Sequence, residues 1–268
     1  MKQLVNGFDF ANRSLLREID GKLLKLSAEP HYYLERQKRI ERHIKHLSDI
    51  FGWWLSNPDL RERLYFETNT NTSGEIRGVA RRGISRVREA WAYLRGAAEH
   101  SGRKTEQLLN DSLLIQLAQY IDPANESYRP HEIDAQIFYP EYTSPSGFQV
   151  PILMEDFRKA LINHASSHPI DKATYSHLAL VGIQPFTHAN KRLARVVTNS
   201  ILLDYNLPPA LISPGEREVY SSLLKDALIG RVEGNGGKQA HFYDYIGGKV
   251  NSVLDEILND LNPFRRKR

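Results

Sequence analysis

Residues 184–195 read QPFTHANKRLAR, and Asn190, Lys191, Arg192 and Arg195 within them have the means to grip an anion. The run LARVVTNSILL has helical period, which turns Leu193, Val196, Val197, Ser200 and Ile201 inward and places Asn190 as the helix N-cap. The first N–H groups of a helix have no internal partner and the dipole there is positive, so such an end takes phosphate readily. Lys191, Arg192 and Arg195 crowd cations against that dipole, with Arg192 and Arg195 on one face by their i, i+3 spacing. Two readings of this spacing stand side by side. Either a bound anion offsets the cations, or the turn is solvated and pairs with nearby carboxylates.

The elements that must position this loop read as mostly helix. Apolar periodicity predicts helices over 12–27, 31–55, 76–98 and 105–121, then 151–164, 169–182, 190–206, 215–229 and 240–260. Leu34, Ile40, Ile44, Leu47, Phe51 and Trp54 form the stripe of the second, with Trp53 beside it as core. Leu108, Leu109, Leu113, Leu114 and Leu117 lie inside the fourth. The polar run ETNTNTSGE at 67–75 reads as a loop or cap, and HPI, QPFTHA, NLPPALIS and GRVEGNGG separate the later helices. The stretch 122–150 breaks the pattern with prolines and aromatics. Ile133, Ala135 and Ile137 alternate with Asp134, Gln136 and Phe138, the spacing of a short half-exposed strand, so a β-hairpin flap is expected at about 128–145. No internal repeat is present. The reading is a helical N-terminal region over 1–104 and a helical domain over 105–268 that carries the flap and the motif.

Composition bounds the class. Of the 268 residues 41% are hydrophobic and 25% charged, as in ordinary globular proteins, and the net charge is +4. No apolar run approaches the roughly 20 residues of a membrane-spanning helix. The start MKQLVNGFDFANRS lacks the apolar h-region of a signal peptide. Cysteine is absent, which excludes disulfides and thiolate metal sites and fits a cytoplasmic protein.

The segment 164–206 resembles the core of the Fic/Doc family. That family's signature is His-Pro-Phe-x-Asp/Glu-Gly-Asn-Gly-Arg-x-x-Arg, and its Doc branch has Ala-Asn-Lys-Arg in the middle, as here. Upstream, YRPHEIDAQIF and YTSPSGFQVPILMEDF within 128–157 resemble the family's flap and the helix after it. Downstream, PPALISPGEREVYSSLLKDAL resembles the helix that closes its fold. The resemblance implies a mostly helical Fic-like fold and transfer of AMP from ATP, or of a phosphate in the Doc branch, onto a hydroxyl of a target protein. It implies that Asn190, Lys191 and Arg192 form the anion hole for the nucleotide phosphates, that Arg195 holds the terminal phosphate and that Phe186 packs inward. It also implies that the flap, roughly Ile133 to Tyr142 and including Ala135 and Ile137, aligns the target as an added strand.

The departures from that signature fall on chemistry. The family's base is the first His, and here it is Gln184, which does not titrate. The family's acid seats Mg²⁺, a cation that favours oxygen ligands, and here it is His188, a poor ligand for it. The binding letters Asn190, Arg192 and Arg195 remain. The expectation is a nucleotide-binding protein, for ATP or another nucleotide, with reduced or lost transfer. The alternatives are an active nucleotidyl- or phosphotransferase with His188 as a displaced base, and a non-catalytic interaction or nucleic-acid-binding module on the same scaffold.

The remaining signals have ordinary readings. Arg77, Arg81, Arg82, Arg86, Arg88, Arg95, Arg103 and Lys104 make a basic run, echoed by the tail RRKR. Without a DNA-binding motif it reads as a solvated helix face rather than a nucleic-acid footprint. His164 and His168 have a zinc-compatible i, i+4 spacing, but Pro169 interrupts the helix and no third ligand is evident, so no metal is expected. Many members of the resembled family carry an inhibitory helix with Ser/Thr-x-x-x-Glu-Gly/Asn. Glu75, with Asn71 and Ile76 around it, and VEGN at 232–235, with Ile229 before it, match that pattern poorly and read as loop residues.

Overall fold

Asn12 opens the first helix, its side-chain oxygen accepting the Ser14 amide at 2.8 Å. The structure, a computed structural model, describes residues 11–43, 73–131 and 141–261, with the side chains of 73–84 and of residue 214 outside that description. In it α1 spans Arg13–Ser27, α2 residues 32–43, α3 Ser73–Ser101, α4 Thr105–Leu108 and α5 Asp111–Ile121. Then come α6 at Val150–Asn163, α7 at Pro169–Ile183, α8 at Asn190–Asp204, α9 at Arg217–Glu233 and α10 at Gly236–Leu261. The mostly helical expectation holds, and the described residues contain no strand. The flap residues Ile133, Ala135 and Ile137 lie outside the described residues, as do Ile44, Leu47, Phe51, Trp53 and Trp54.

Several boundaries differ from the periodic reading, each for a local reason. The helix expected over 105–121 is broken after Leu108, because Leu109 and Asn110 are extended and the Asn110 side chain caps α5 by accepting the Leu113 amide at 2.8 Å. Ser73, Gly74 and Glu75 belong to α3 rather than to a loop. Val232 and Glu233 complete α9, Gly234 ends it at φ 70°, and α10 starts two residues on at Gly236. Packing of α9 on α10 outweighs the low helix propensity of the glycines there. Leu34 is 57% exposed whereas Tyr32 and Ile40 are buried, so the buried face of α2 is rotated from the expected stripe.

At the centre α7 and α8 run against each other. Every residue of α7 from Ile170 to Ile183 is buried, as is α8 from Leu193 to Leu203. A fully buried aliphatic side chain contributes about 1.5–3 kcal/mol, so this pair anchors the core. Around it α3, α4 and α5 pack on α8, α6 and α10 pack on α7, and α9 rests on α10 and α7. One buried apolar cluster takes Ile19 and Leu94 from one side of position 104 and Leu178, Val197 and Leu254 from the other. Close approach of α1 to α10 uses Gly247, where an added Cβ would lie 3.0 Å from Leu15 Cδ2.

Arg95 from the basic run is structural, since it pairs with Asp204 at 2.5 Å and reaches Ser200 Oγ at 3.1 Å. Lys172 of α7 is more deeply set. Its ammonium meets Glu106 Oε1 at 3.1 Å, the Ala165 carbonyl at 3.2 Å and the Tyr205 hydroxyl, which itself donates to Glu106 at 2.5 Å. Burial and Glu106 push the Tyr205 phenol up, so it stays a donor. This cluster joins α4, α7 and the end of α8. Lys172→Met should destabilise the protein by about 3–5 kcal/mol, because Glu106 would be left as an uncompensated buried charge. Adding Glu106→Gln should recover part of that loss, and urea unfolding of the single and double variants measures both.

Candidate functional site

The loop between α7 and α8 turns sharply at both ends. Gln184, the C-cap of α7, has φ 49° and ψ 62°, and Ala189, the N-cap of α8, has φ 69° and ψ 9°. The left-handed region costs an L-residue about 1–2 kcal/mol, so the loop must be held by something else. Three buried polar side chains hold it. Asn190 accepts the Phe186 amide at 3.0 Å and donates to the Phe186 carbonyl at 2.7 Å. Asn125 accepts the His188 amide at 3.3 Å and donates to its carbonyl at 3.1 Å. Arg129 donates Nε to the Gln184 carbonyl at 3.2 Å, and its own amide donates to the Pro185 carbonyl at 2.8 Å.

Asn190 is therefore not the N-cap the sequence suggested. It is the first helical residue, and its amide group is committed to the loop backbone, which buried carbonyl and N–H groups require. Phe186 does pack inward, 1% exposed, with its ring 5.5 Å from Tyr128. Gln184 is buried and His188 exposed. Tyr142 is a core residue whose hydroxyl donates to the Gly182 carbonyl at 2.7 Å.

The cations separate. Arg192 reaches the Ile121 carbonyl at 3.5 Å and lies 3.9 Å from Asp122, at the end of α5. Burial lowers its pKa, with Asp122 opposing and Arg86 adding to the shift. Arg195 turns elsewhere, its guanidinium carbon 4.6 Å from the centre of the Tyr220 ring and its Nε buried without a hydrogen-bond partner among the described residues. Lys191 is pushed down to about 8, by burial first and then by the charges of Arg195 and Arg217. Lys191, Arg195 and the first residue of α9 thus share one electrostatic environment at the start of α8. In that helix the backbone hydrogen bonds begin with the Arg192 and Leu193 amides, both donating to Ala189.

Beneath Arg195 lies a polar core that sequence reading missed. His177 is fully buried, with Nδ1 3.2 Å from Thr198 Oγ1 and Nε2 2.8 Å from the Tyr220 hydroxyl. Burial, with the charges of Arg195 and Lys191, holds its pKa down at about 3, so it is neutral. Asn125, Arg129, His177, Arg217 and Tyr220 all lie far in sequence from the motif or inside an apolar helix pattern. The proline beside Arg129 and near Asn125 signalled only a loop.

His164 and His168, the pair with zinc-compatible spacing, have separate structural places. His164 ends α6, while His168 caps α7 and its ring lies 3.1 Å from Asp20. Among the described residues no group of three His, Cys, Asp or Glu side chains could hold a metal ion. The residue at the acid position is the exposed His188, so this loop does not fit Mg²⁺ held by a carboxylate. No helix among the described residues is long and apolar enough to cross a membrane.

This arrangement, a buried helix pair joined by a pinned loop, is that of the Fic fold. Fic-1 (aa134 - 508) from C. elegans superposes with a TM-score of 0.69 at 17% identity, over 92% of this chain and 72% of that one. A Fic domain containing signaling protein from Bacteroides thetaiotaomicron gives 0.69 at 14% identity, over 92% of this chain and 97% of that one. In sequence, residues 109–202 match the Fic/DOC family, and this stretch is a Fic-family domain. The protein adenylyltransferase Fic of Nematostella vectensis is 26% identical over 227 residues, 82% of this chain and 52% of that protein. That of Drosophila persimilis is 33% identical over 125 residues, 46% of this chain and 23% of that protein. The chain is thus related to protein adenylyltransferases, and the match spans about half or less of their length.

Two stability measurements check the site's anatomy. Ala189→Gly should stabilise the protein by about 1 kcal/mol, because glycine adopts the left-handed conformation without the Cβ penalty; calorimetry reads this as a higher Tm. For His177 the folded pKa lies below the ordinary 6.5, so its contribution is complete above pH 6.5 and is lost as pH falls toward 3. Between those limits wild type should lose up to about 1.4 kcal/mol per pH unit relative to His177→Gln. Parallel stability curves for the two proteins would contradict a neutral buried His177.

Proposed function

We propose that this chain binds a nucleotide through its phosphates at the start of α8 and transfers it slowly or not at all. The observation that carries this reading is the buried Arg195 guanidinium, its Nε unpartnered among the described residues, set beside a Lys191 whose charge is disfavoured by burial and then by Arg195 and Arg217. An isolated buried cation is costly, and a phosphate arriving there would offset both the cations and the helix dipole. Lys191 and Arg195 would hold the phosphates; Arg192, committed to the end of α5, contributes less than its position in the motif suggests. ATP is the nucleotide that kinship to adenylyltransferases favours, with a hydroxyl of a protein as acceptor.

The same kinship makes the departures in the loop informative. Gln184 stands where a base would take the acceptor's proton and has no group that titrates near neutral pH. His188 stands where a carboxylate would seat a metal. The backbone conformation around both is held by Asn125, Arg129 and Asn190, so the loop's shape does not depend on the groups at 184 and 188.

Charge-assisted contacts contribute about 1.5–3 kcal/mol, so Arg195→Ala should weaken ATP binding roughly tenfold or more by calorimetric titration. An unchanged Kd removes Arg195 from the site. With labelled ATP and protein acceptors, wild type should show little transfer and Gln184→His partial recovery. Gln184→His with His188→Asp should exceed either single change, because base and metal act on one step. Vigorous Mg²⁺-dependent transfer by wild type that is lost in His188→Ala would replace this reading with catalysis from His188.

A further inference from the structure

Arg195 is 8% exposed, and its Nε has no hydrogen-bond partner among the described residues. An arginine usually has its direction set by a bidentate carboxylate, but among the described residues the contacts here come from an aromatic ring and its hydroxyl. The guanidinium lies over Tyr220, 4.6 Å from the ring centre, and it acts on the Tyr220 phenol by charge and by hydrogen bonding. Tyr220 is itself only 1% exposed.

The hydrogen bonds behind Tyr220 run in one direction. The Thr198 hydroxyl lies 2.6 Å from the Ala194 carbonyl and 3.3 Å from the Ala173 carbonyl, and it can only donate to these. Its oxygen is therefore an acceptor for the Nδ1–H of His177 at 3.2 Å. That tautomer leaves Nε2 bare, and Nε2 accepts the Tyr220 O–H at 2.8 Å. With its proton turned to His177, Tyr220 offers Arg195 oxygen lone pairs and the negative face of its ring.

We propose that His177 and Tyr220 are positioning residues for Arg195. The chain Thr198–His177–Tyr220, drawn from α8, α7 and α9, fixes the phenol so that it steadies the guanidinium in place of a carboxylate. Among the described residues no carboxylate neutralises the cation, which is directed toward an incoming phosphate. A carboxylate in the same place would hold Arg195 equally well but would compete with that phosphate. This rests on the nucleotide-binding reading for its purpose, but the positioning itself exists in the ligand-free protein.

The test follows the Arg195 Nε–H resonance by ¹⁵N NMR in the nucleotide-free chain, assigned by its absence in Arg195→Ala, and then measures ATP affinity. Tyr220→Phe keeps the ring and removes the hydroxyl, and His177→Leu removes the acceptor. Both should shift and broaden the Nε–H signal. His177→Gln, whose amide can accept from Tyr220 and donate to Thr198, should preserve it. Thr198→Val breaks the chain at its other end and should act like His177→Leu, which provides a second reading should Tyr220→Phe fail to fold. The ATP Kd should rise three- to tenfold in Tyr220→Phe but stay unchanged when Tyr220→Phe is added to Arg195→Ala. An Nε–H signal indifferent to Tyr220→Phe and Thr198→Val, or the same fold-loss of affinity with and without Arg195, overturns the positioning role. If wild type binds no ATP, the nucleotide-binding reading falls, and the ligand-free spectra still decide for or against the positioning role.

Discussion

What the motif loop can present to a ligand depends on the pair of hydrogen bonds that Asn190 exchanges with the backbone of Phe186. The loop connects two buried helices in six residues, and its end residues Gln184 and Ala189 are both left-handed. Gln184, Pro185 and Phe186 are buried, so their backbone groups need partners inside the protein. Asn190 closes the loop from within, while Asn125 and Arg129 hold it from the segment after α5. Losing any of these would leave unsatisfied groups in a low-dielectric setting, which costs more than the hydrogen bond itself contributes.

A rigid loop of this kind makes a crowded cationic site tolerable. Cations at the start of a helix oppose its dipole, and Lys191 bears part of that strain in its lowered pKa. The molecule neutralises Arg192 partly through Asp122 and supports Arg195 through Tyr220. His177 remains uncharged under them, which keeps a further cation out of the same volume. In the proposed reading, binding and chemistry fall to separable residues of one loop. Asn190 and Arg195 shape and charge it, whereas Gln184 and His188 are the residues to which that reading assigns the missing proton transfer and metal binding.

Much of this was legible before the fold was known. The helical periods over 169–182 and 190–206 correspond to α7 and α8 within two residues, because long apolar stripes report burial directly. The motif letters located the loop between them, and Phe186 was correctly read as core. Asn190 was misread as a cap, because an asparagine at a helix start has a local role in most sequences and only the return of the chain at Phe186 offers it a better one. The break at Leu109 was hidden for a related reason, since the apolar period continues through it while Asn110 caps the next helix.

The sequence by itself determined that the protein is helical and where the motif turn and its cluster of cations lie. Those properties depend on residue identity and short-range spacing. The tertiary structure alone decided that Arg192 goes to the end of α5 while Arg195 lies on Tyr220, although the two are three positions apart on one helix. It also decided that Asn125, Arg129 and His177 are partners of the loop and its arginine. A long side chain's direction is set by the acceptors and rings it meets, and these come from α5 and α9, whose placement beside α8 follows from burial across the whole core.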